Sequence, residues 1–180
     1  HKGLCEIFQA NVCSLPPEPN IKIFISSIKI ITIILILLLY IKYIFLMKLV
    51  AISGYFDPLH VGHLEYIKLS KKLGDRLVVI VNNDFQSKLK KGKSFMNESD
   101  RLEIVKSIIW VDDAIISVDK DGSVCKSIEL VKPDIFANGG DRKNKEIPES
   151  KICNKLGIKI IDGIGKKIRS SSNYTGLKSK

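Results

Sequence analysis

An α/β fold built on a doubly wound parallel sheet is predicted by three observations. Short, wholly apolar runs read as buried strands, helical apolar spacing lies between them, and the two alternate from Leu49 to Ile161. A strand that is apolar on both faces suits a parallel sheet, because helices cover both of its faces.

The first strand is Leu49-Val50-Ala51-Ile52-Ser53, and Leu64, Ile67, Leu69 and Leu73 follow at near-helical spacing. Residues 77–81 form the second strand. Lys88, Lys90, Lys91 and Lys93 surround Gly92 and read as a flexible basic loop. Residues 99–110 read as a helix with Leu102, Val105 and Ile109 on one side, and residues 97–100 suggest its cap. Arg101 in that helix reads as structural. A strand at 114–118, a helix at 123–131 and a short strand at 135–137 come next, then a helix at 147–156 and a last strand at 158–161. Strands separated by helices require right-handed crossovers, which gives a Rossmann-like sheet with helices on both faces. Ligands of such sheets bind outside the carboxyl ends of the strands.

The first 46 residues differ from the rest. Residues 21–45 are a low-complexity, isoleucine-rich run broken by Lys22, Lys29 and Lys42, with residues 30–41 as the longest uncharged piece. A spanning helix needs about 20 mainly apolar residues, so a transmembrane helix over about 24–46 would have to snorkel lysines at its ends. The alternative is non-native upstream translation, because Met47-Lys48 stands immediately before the first strand. Both readings stay open. A cleaved signal peptide is disfavoured, since no small-residue cleavage site follows the apolar run. The domain reading is a hydrophobic extension at 1–46, an α/β domain at 47–173 and a basic tail at 174–180.

The formal charge is +10, and most of it lies beyond the extension. Four lysines and two glutamates precede Met47, which leaves 25 basic against 17 acidic residues, or +8. That excess suits nucleotide phosphates, RNA or an anionic membrane surface. The absence of a basic stretch interleaved with aromatics argues against nucleic acid as a partner. Cys5, Cys13, Cys125 and Cys153 form no Cys-x-x-Cys pair or regular framework, which favours reduced thiols.

The joint between the first strand and helix carries the clearest chemistry: Gly54-Tyr55-Phe56-Asp57-Pro58-Leu59-His60-Val61-Gly62-His63. Gly54 allows a turn without a Cβ clash, Pro58 sets one φ angle, and Gly62 lets a bulky ligand approach the first helical turn. If the helix begins near His60, His60 and His63 share one face of that turn. They then lie beside unpaired N–H groups and the positive end of the macrodipole, where an anion is favoured. An isolated His-x-x-His is usually two ordinary polar helix residues; the whole string in order makes phosphate binding the better reading. Zinc is the other use of paired imidazoles. His1 is the only remaining histidine and no cysteine lies nearby, so no metal ligands are assigned.

These residues resemble the signature of the cytidylyltransferase-like nucleotidyltransferases, in which a glycine-aromatic-Asp turn leads into His-x-Gly-His. The resemblance covers residues 47–173. The layout is similar to small members such as glycerol-3-phosphate cytidylyltransferase and the adenylyltransferase of ADP-heptose synthesis. It implies transfer of CMP or AMP from CTP or ATP to a small phosphorylated alcohol or sugar phosphate, with pyrophosphate released and Mg²⁺ accompanying the triphosphate. His60, His63 and Lys90 are the catalytic candidates it implies. Gly54, Tyr55, Phe56 and Gly62 would line the nucleotide, with Lys91 or Lys93 replacing a family lysine that falls on Gly92. Gly140 and Asp141, beside Arg142, would frame base and ribose. Ser170, Ser171 and Ser172 would open a helix toward the β and γ phosphates with Arg169 alongside; the family arginine falls slightly earlier, which makes Lys166 or Lys167 the alternative.

Taken alone, each of these features has a plainer reading: solvated lysines, an ordinary Gly-Gly-Asp turn and a serine N-cap. The expected setting is cytoplasmic, or membrane-anchored if the extension is genuine, and homodimerisation is left open. The competing function is a non-catalytic nucleotide-binding or membrane-tethered regulatory module.

Overall fold

A computed structural model describes residues 21–140, 147–166 and 168–176. The chain divides into two units, His1–Leu46 and Met47–Lys180.

The first unit contains helix α1 (Ile21–Leu46). Its stretch Ile25–Ile44 has a mean hydropathy of 2.2 and is long and apolar enough, by length and composition, to cross a membrane. From Ile25 to Leu46 its isoleucines and leucines are exposed around the helix, as are Tyr40 and Tyr43. A helix apolar on every side has no amphipathic seam for packing on a soluble core.

The second unit holds strands β1 (Leu49–Gly54), β2 (Arg76–Val81), β3 (Asp113–Ile116), β4 (Ile135–Gly139) and β5 (Lys159–Ile164). Between them run helices α2 (Val61–Lys71), α3 (Asp84–Lys91), α4 (Glu98–Lys106), α5 (Cys125–Val131) and α6 (Pro148–Leu156), and a single turn α7 (Ser172–Thr175) follows β5. The order across the sheet is β3-β2-β1-β4-β5. All pairings are parallel. The predicted doubly wound architecture is therefore the observed one.

Alternate residues of β1 supply two cores. Val50 and Ile52 pack with Ile67 of α2 and Val105 of α4, whereas Ala51 packs with Ile128 of α5 and Cys153 of α6. Two layers of helix on one sheet explain why the strand sequences are apolar without alternation. The chain winds outward from β1 through β2 to β3, then returns to the other side of β1 as β4. That reversal opens a crevice between the carboxyl ends of β1 and β4, the switch point at which such sheets take ligands.

One element departs from expectation. The basic stretch read as a flexible loop is largely helix, with Lys88, Lys90 and Lys91 in the last turn of α3. Its start is set by a capping box: the Asn83 side chain accepts from the Gln86 amide at 2.9 Å, and Gln86 Oε1 accepts from the Asn83 amide at 3.1 Å. Gly92, at φ 86°, ends it. Three lysines at a helix C-terminus also complement the macrodipole. The predicted cap of α4 is present, with Asn97 accepting from the Asp100 amide at 2.8 Å.

Candidate active site

The joint after β1 is shaped by Phe56. Its backbone sits at φ 50°, a left-handed conformation uncommon for a bulky residue. Its ring turns inward and is fully buried. A Cβ on Gly54 would lie 2.8 Å from Phe56 Cζ, so glycine is required there. The Phe56 ring meets His63 edge to face at a centroid distance of 5.0 Å. Phe56 thus backs a histidine with its side chain and can offer a ligand only its backbone.

His60 is the N-cap of α2 and makes no side-chain capping bond. Its carbonyl accepts from the His63 and Leu64 amides at 2.8 and 3.2 Å. The Val61 and Gly62 amides precede the helix's own ladder, the position at which a helix start favours an anion. The His60 and His63 rings stack at 3.8 Å, 14° from parallel. A Cβ on Gly62 would come within 3.2 Å of the His60 ring, which supplies a second reason for glycine there.

Both imidazoles are held neutral. Burial pushes His63 down to about 3, with His60 and Lys91 adding repulsion. Burial also lowers His60, helped by the charges of Arg169 and Lys91. The Nδ1 atoms of both rings are buried without a hydrogen-bond partner among the described residues.

A cavity of about 330 Å³ lies over this pair at the carboxyl ends of β1, β4 and β5. The structure brings most sequence-predicted positions to its wall: Gly54, Tyr55, Phe56, His60, Gly62 and His63 from the joint, Lys90 and Lys91 from α3, Gly140, and Arg169 to Ser172. Lys166 also lines it. Lys93 is exposed and stands apart from the lining. Asp141, Arg142 and Lys167 lie outside the described residues.

Gly140 is needed for a backbone contact, since a Cβ would stand 2.0 Å from the Gly165 carbonyl oxygen. Ser171 Oγ donates to the Pro58 carbonyl at 3.2 Å, and the Ser170 and Ser172 hydroxyls are 2.8 Å apart. The serine run thereby reaches the joint. Its α7 is one turn of Ser172–Thr175, so hydroxyls and individual amides matter more than a helix dipole.

Three residues outside the predicted site turn out to organise it. Asp57, fully buried, accepts from the Phe95 and Met96 amides at 3.1 and 2.8 Å and stands 3.6 Å from Lys91 Nζ, tying the end of α3 to the joint. Tyr66 donates to the Ala137 carbonyl at 2.6 Å and joins α2 to β4 across the crevice. It follows His63 by three residues on the same helix, a spacing that could have placed it on the same face. Asn138, also on the wall, donates to Asp162 at 2.8 Å.

Arg101 is structural, as predicted. Only 1 % exposed, it donates to the carbonyls of Tyr55 (2.8 Å), Asn82 (2.5 Å) and Met96 (3.2 Å) and to Asp84 (2.6 Å).

Paired imidazoles, unladdered amides and a basic rim at a switch point have the chemistry that phosphate esters require. Comparison with known proteins takes the assignment further: the chain belongs to the cytidylyltransferase-like family, whose profile matches residues 51–172, and is a nucleotidyltransferase. It is 39% identical over 127 residues to the FAD synthase of Thermoplasma volcanium, covering 71% of this chain and 84% of that one. It is 37% identical over 117 residues to the bifunctional protein HldE of a Nitratiruptor species, covering 64% of this chain and 24% of the relative. Among solved structures, a lipopolysaccharide core biosynthesis protein from Thermoplasma volcanium superposes with a TM-score of 0.58 at 42% identity, covering 67% of this chain and 98% of that one. Thermotoga maritima TmcAL bound with alpha-thio ATP superposes at 0.56 and 12% identity over 72% of this chain and 50% of the other, a likeness of fold alone.

Proposed function

We propose that the chain transfers AMP or CMP from ATP or CTP to the phosphate of a small phosphorylated alcohol, with ATP and flavin mononucleotide as the first pair to test. An acceptor phosphate oxygen attacks the α-phosphorus in line, a new P–O bond forms, the α–β bridging bond breaks, and pyrophosphate leaves. No protein nucleophile takes part. His60 and His63, as neutral imidazoles, each donate one N–H toward the α-phosphoryl oxygens or the bridge, while Lys90 and Arg169 meet the remaining charge. The rate then rests on positioning and on stabilising charge as it develops.

The observation that carries this reading is the stacked, half-buried His60–His63 pair lining the cavity at the opening of α2. Both rings line the cavity, where an N–H of each can donate to a phosphoryl oxygen. ATP is tested first because of the relatives named FAD synthase. The differing names among other relatives keep the acceptor class broad. Among the described residues no group of three His, Cys, Asp or Glu is placed to hold a metal ion. Mg²⁺ in this proposal therefore arrives with the triphosphate, ligated by phosphate oxygens and water. The chemistry belongs where free nucleotide is, in the cytoplasm, and α1 is compatible with a tether there.

The test is pyrophosphate release by the full chain from ATP or CTP with flavin mononucleotide, glycerol phosphate, ethanolamine phosphate, heptose phosphate or phosphopantetheine. One productive pair is expected. Nucleotide binding with no turnover on any acceptor would leave a non-catalytic binding module instead.

A further inference from the structure

His60 opens α2 as its N-cap, yet its side chain makes no capping bond. An imidazole in that place is oriented by what packs against it. Gly62 leaves room beside the ring, since a Cβ there would stand 3.2 Å from its atoms, and His63 stacks on it at 3.8 Å. A further neighbour is Tyr174, whose ring lies 6.1 Å from that of His60 and 25° from parallel. That separation falls within the range of attractive aromatic pairs, about 4.5–7 Å. Tyr174 is 55% exposed and belongs to neither core cluster nor the cavity wall. Core packing therefore does not account for where its ring stands.

The chain delivers that ring through α7, the single turn that follows the serine run. The Tyr174 and Thr175 amides donate to the Ser171 carbonyl at 3.0 and 3.2 Å, and Ser171 Oγ donates to the Pro58 carbonyl at 3.2 Å, two residues before His60. One short segment thus carries the hydroxyls that line the cavity and the ring that meets the imidazole. A donor acts on a reacting group only while its rotamer is restricted, and small misplacements lower the rate steeply. We propose that Tyr174 is a positioning residue for His60: its ring packs on the imidazole and keeps the N–H directed into the cavity, so that α7 sets the reacting geometry as well as meeting the triphosphate. The flat aromatic face does this work, and the phenolic hydroxyl is dispensable.

This inference rests on the nucleotidyl-transfer reading, but one of its readouts does not depend on turnover. The chain has only His1, His60 and His63, so its imidazole signals are few enough to assign by their loss in His60→Gln and His63→Gln. In the full chain, kept in solution at neutral pH with mild detergent and carrying ¹³C-labelled histidine, the ring current of Tyr174 should shift the His60 ring C–H resonances upfield. Tyr174→Leu should move them downfield toward the ordinary histidine position, and Tyr174→Phe should leave them in place. Tyr174→Gln serves if the leucine variant fails to fold.

The functional readouts are kcat for pyrophosphate release and the Kd of MgATP, which separate positioning of the donor from simple grip on the nucleotide. Tyr174→Leu should lower kcat by roughly three- to tenfold, the range of one aromatic pair, with Kd unchanged. Tyr174→Phe should recover most of that loss, and Tyr174→Leu should add little in a His60→Gln background. Unmoved His60 resonances or an unchanged kcat in Tyr174→Leu, a loss confined to Kd, equal losses from leucine and phenylalanine, or a full loss in the His60→Gln background would each overturn the proposal. If no nucleotide and acceptor pair releases pyrophosphate, the function reading fails, and the His60 resonances still decide whether Tyr174 holds the ring.

Discussion

At the amino ends of the strands, carboxylates meet backbone amides: Asp75 accepts from Lys48, Asp134 from Leu49 and Asp112 from Leu77, at 2.6–2.7 Å. At the carboxyl ends of the same strands, imidazole, ammonium and guanidinium groups surround a cavity, and two buried Nδ1 atoms have no partner among the described residues. The difference separates architecture from function. Where polar groups complete one another, loss of one costs stability; where polar and basic groups line a cavity, loss of one should cost ligand affinity or rate instead. Position alone is insufficient. Arg101 lies beneath the functional end, yet its guanidinium is occupied by carbonyls and Asp84.

Arg101→Ala therefore offers the harshest test of the distinction. Removing it strands buried carbonyls and a carboxylate, so unfolding stability in denaturant should fall by about 3–5 kcal/mol, and activity should disappear with the fold. A variant of native stability that had lost only nucleotide affinity would move Arg101 to the functional class and break the comparison.

His63→Ala should do the reverse. With one charge-assisted donor gone, pyrophosphate release should drop at least about tenfold, while circular dichroism stays native. Equal turnover in the variant would remove the histidine pair from the chemistry.

At the opposite end, Asp134→Ala leaves the Leu49 amide to water at an exposed site, so the expected cost is about 1 kcal/mol in stability with KM and kcat unchanged. A kinetic effect there would mean that the two ends of the sheet are coupled.

The histidine pair also gives stability a pH dependence. In the unfolded chain His63 takes a proton near pH 6.5, whereas in the fold it does so only near 3. Between those values the unfolded state binds more protons, so stability is fully present above 6.5 and declines as pH falls toward 3. Melting temperature measured from pH 7 to 4.5 should decline less steeply in His63→Gln than in the native chain. Identical slopes would show that the ring is not held neutral by the fold.

Much of the fold was legible because its signals are local. Apolar runs such as Leu77 to Val81 can only be buried on both faces, and the alternation with helices then leaves little topological freedom. The His60–His63 face followed in the same way, from a three-residue spacing on one helix. Helix α3 was less legible, since its charged surface resembles a loop and its start depends on reciprocal Asn83–Gln86 bonds. Asp57 could be seen in the motif, but its role depends on Phe95 and Met96, 38 and 39 residues away.

By itself the sequence determined the doubly wound sheet, the strand-to-helix joint and the imidazoles that open α2, because periodicity and short spacings act within a single element. Only the tertiary structure decided that Lys91 is tied to Asp57 while Lys90 stands over Tyr55, and that Gly140 must yield space to the Gly165 carbonyl. Those assignments depend on ångström-scale distances between segments far apart in the chain, and they exist only once folding has brought the strand ends together.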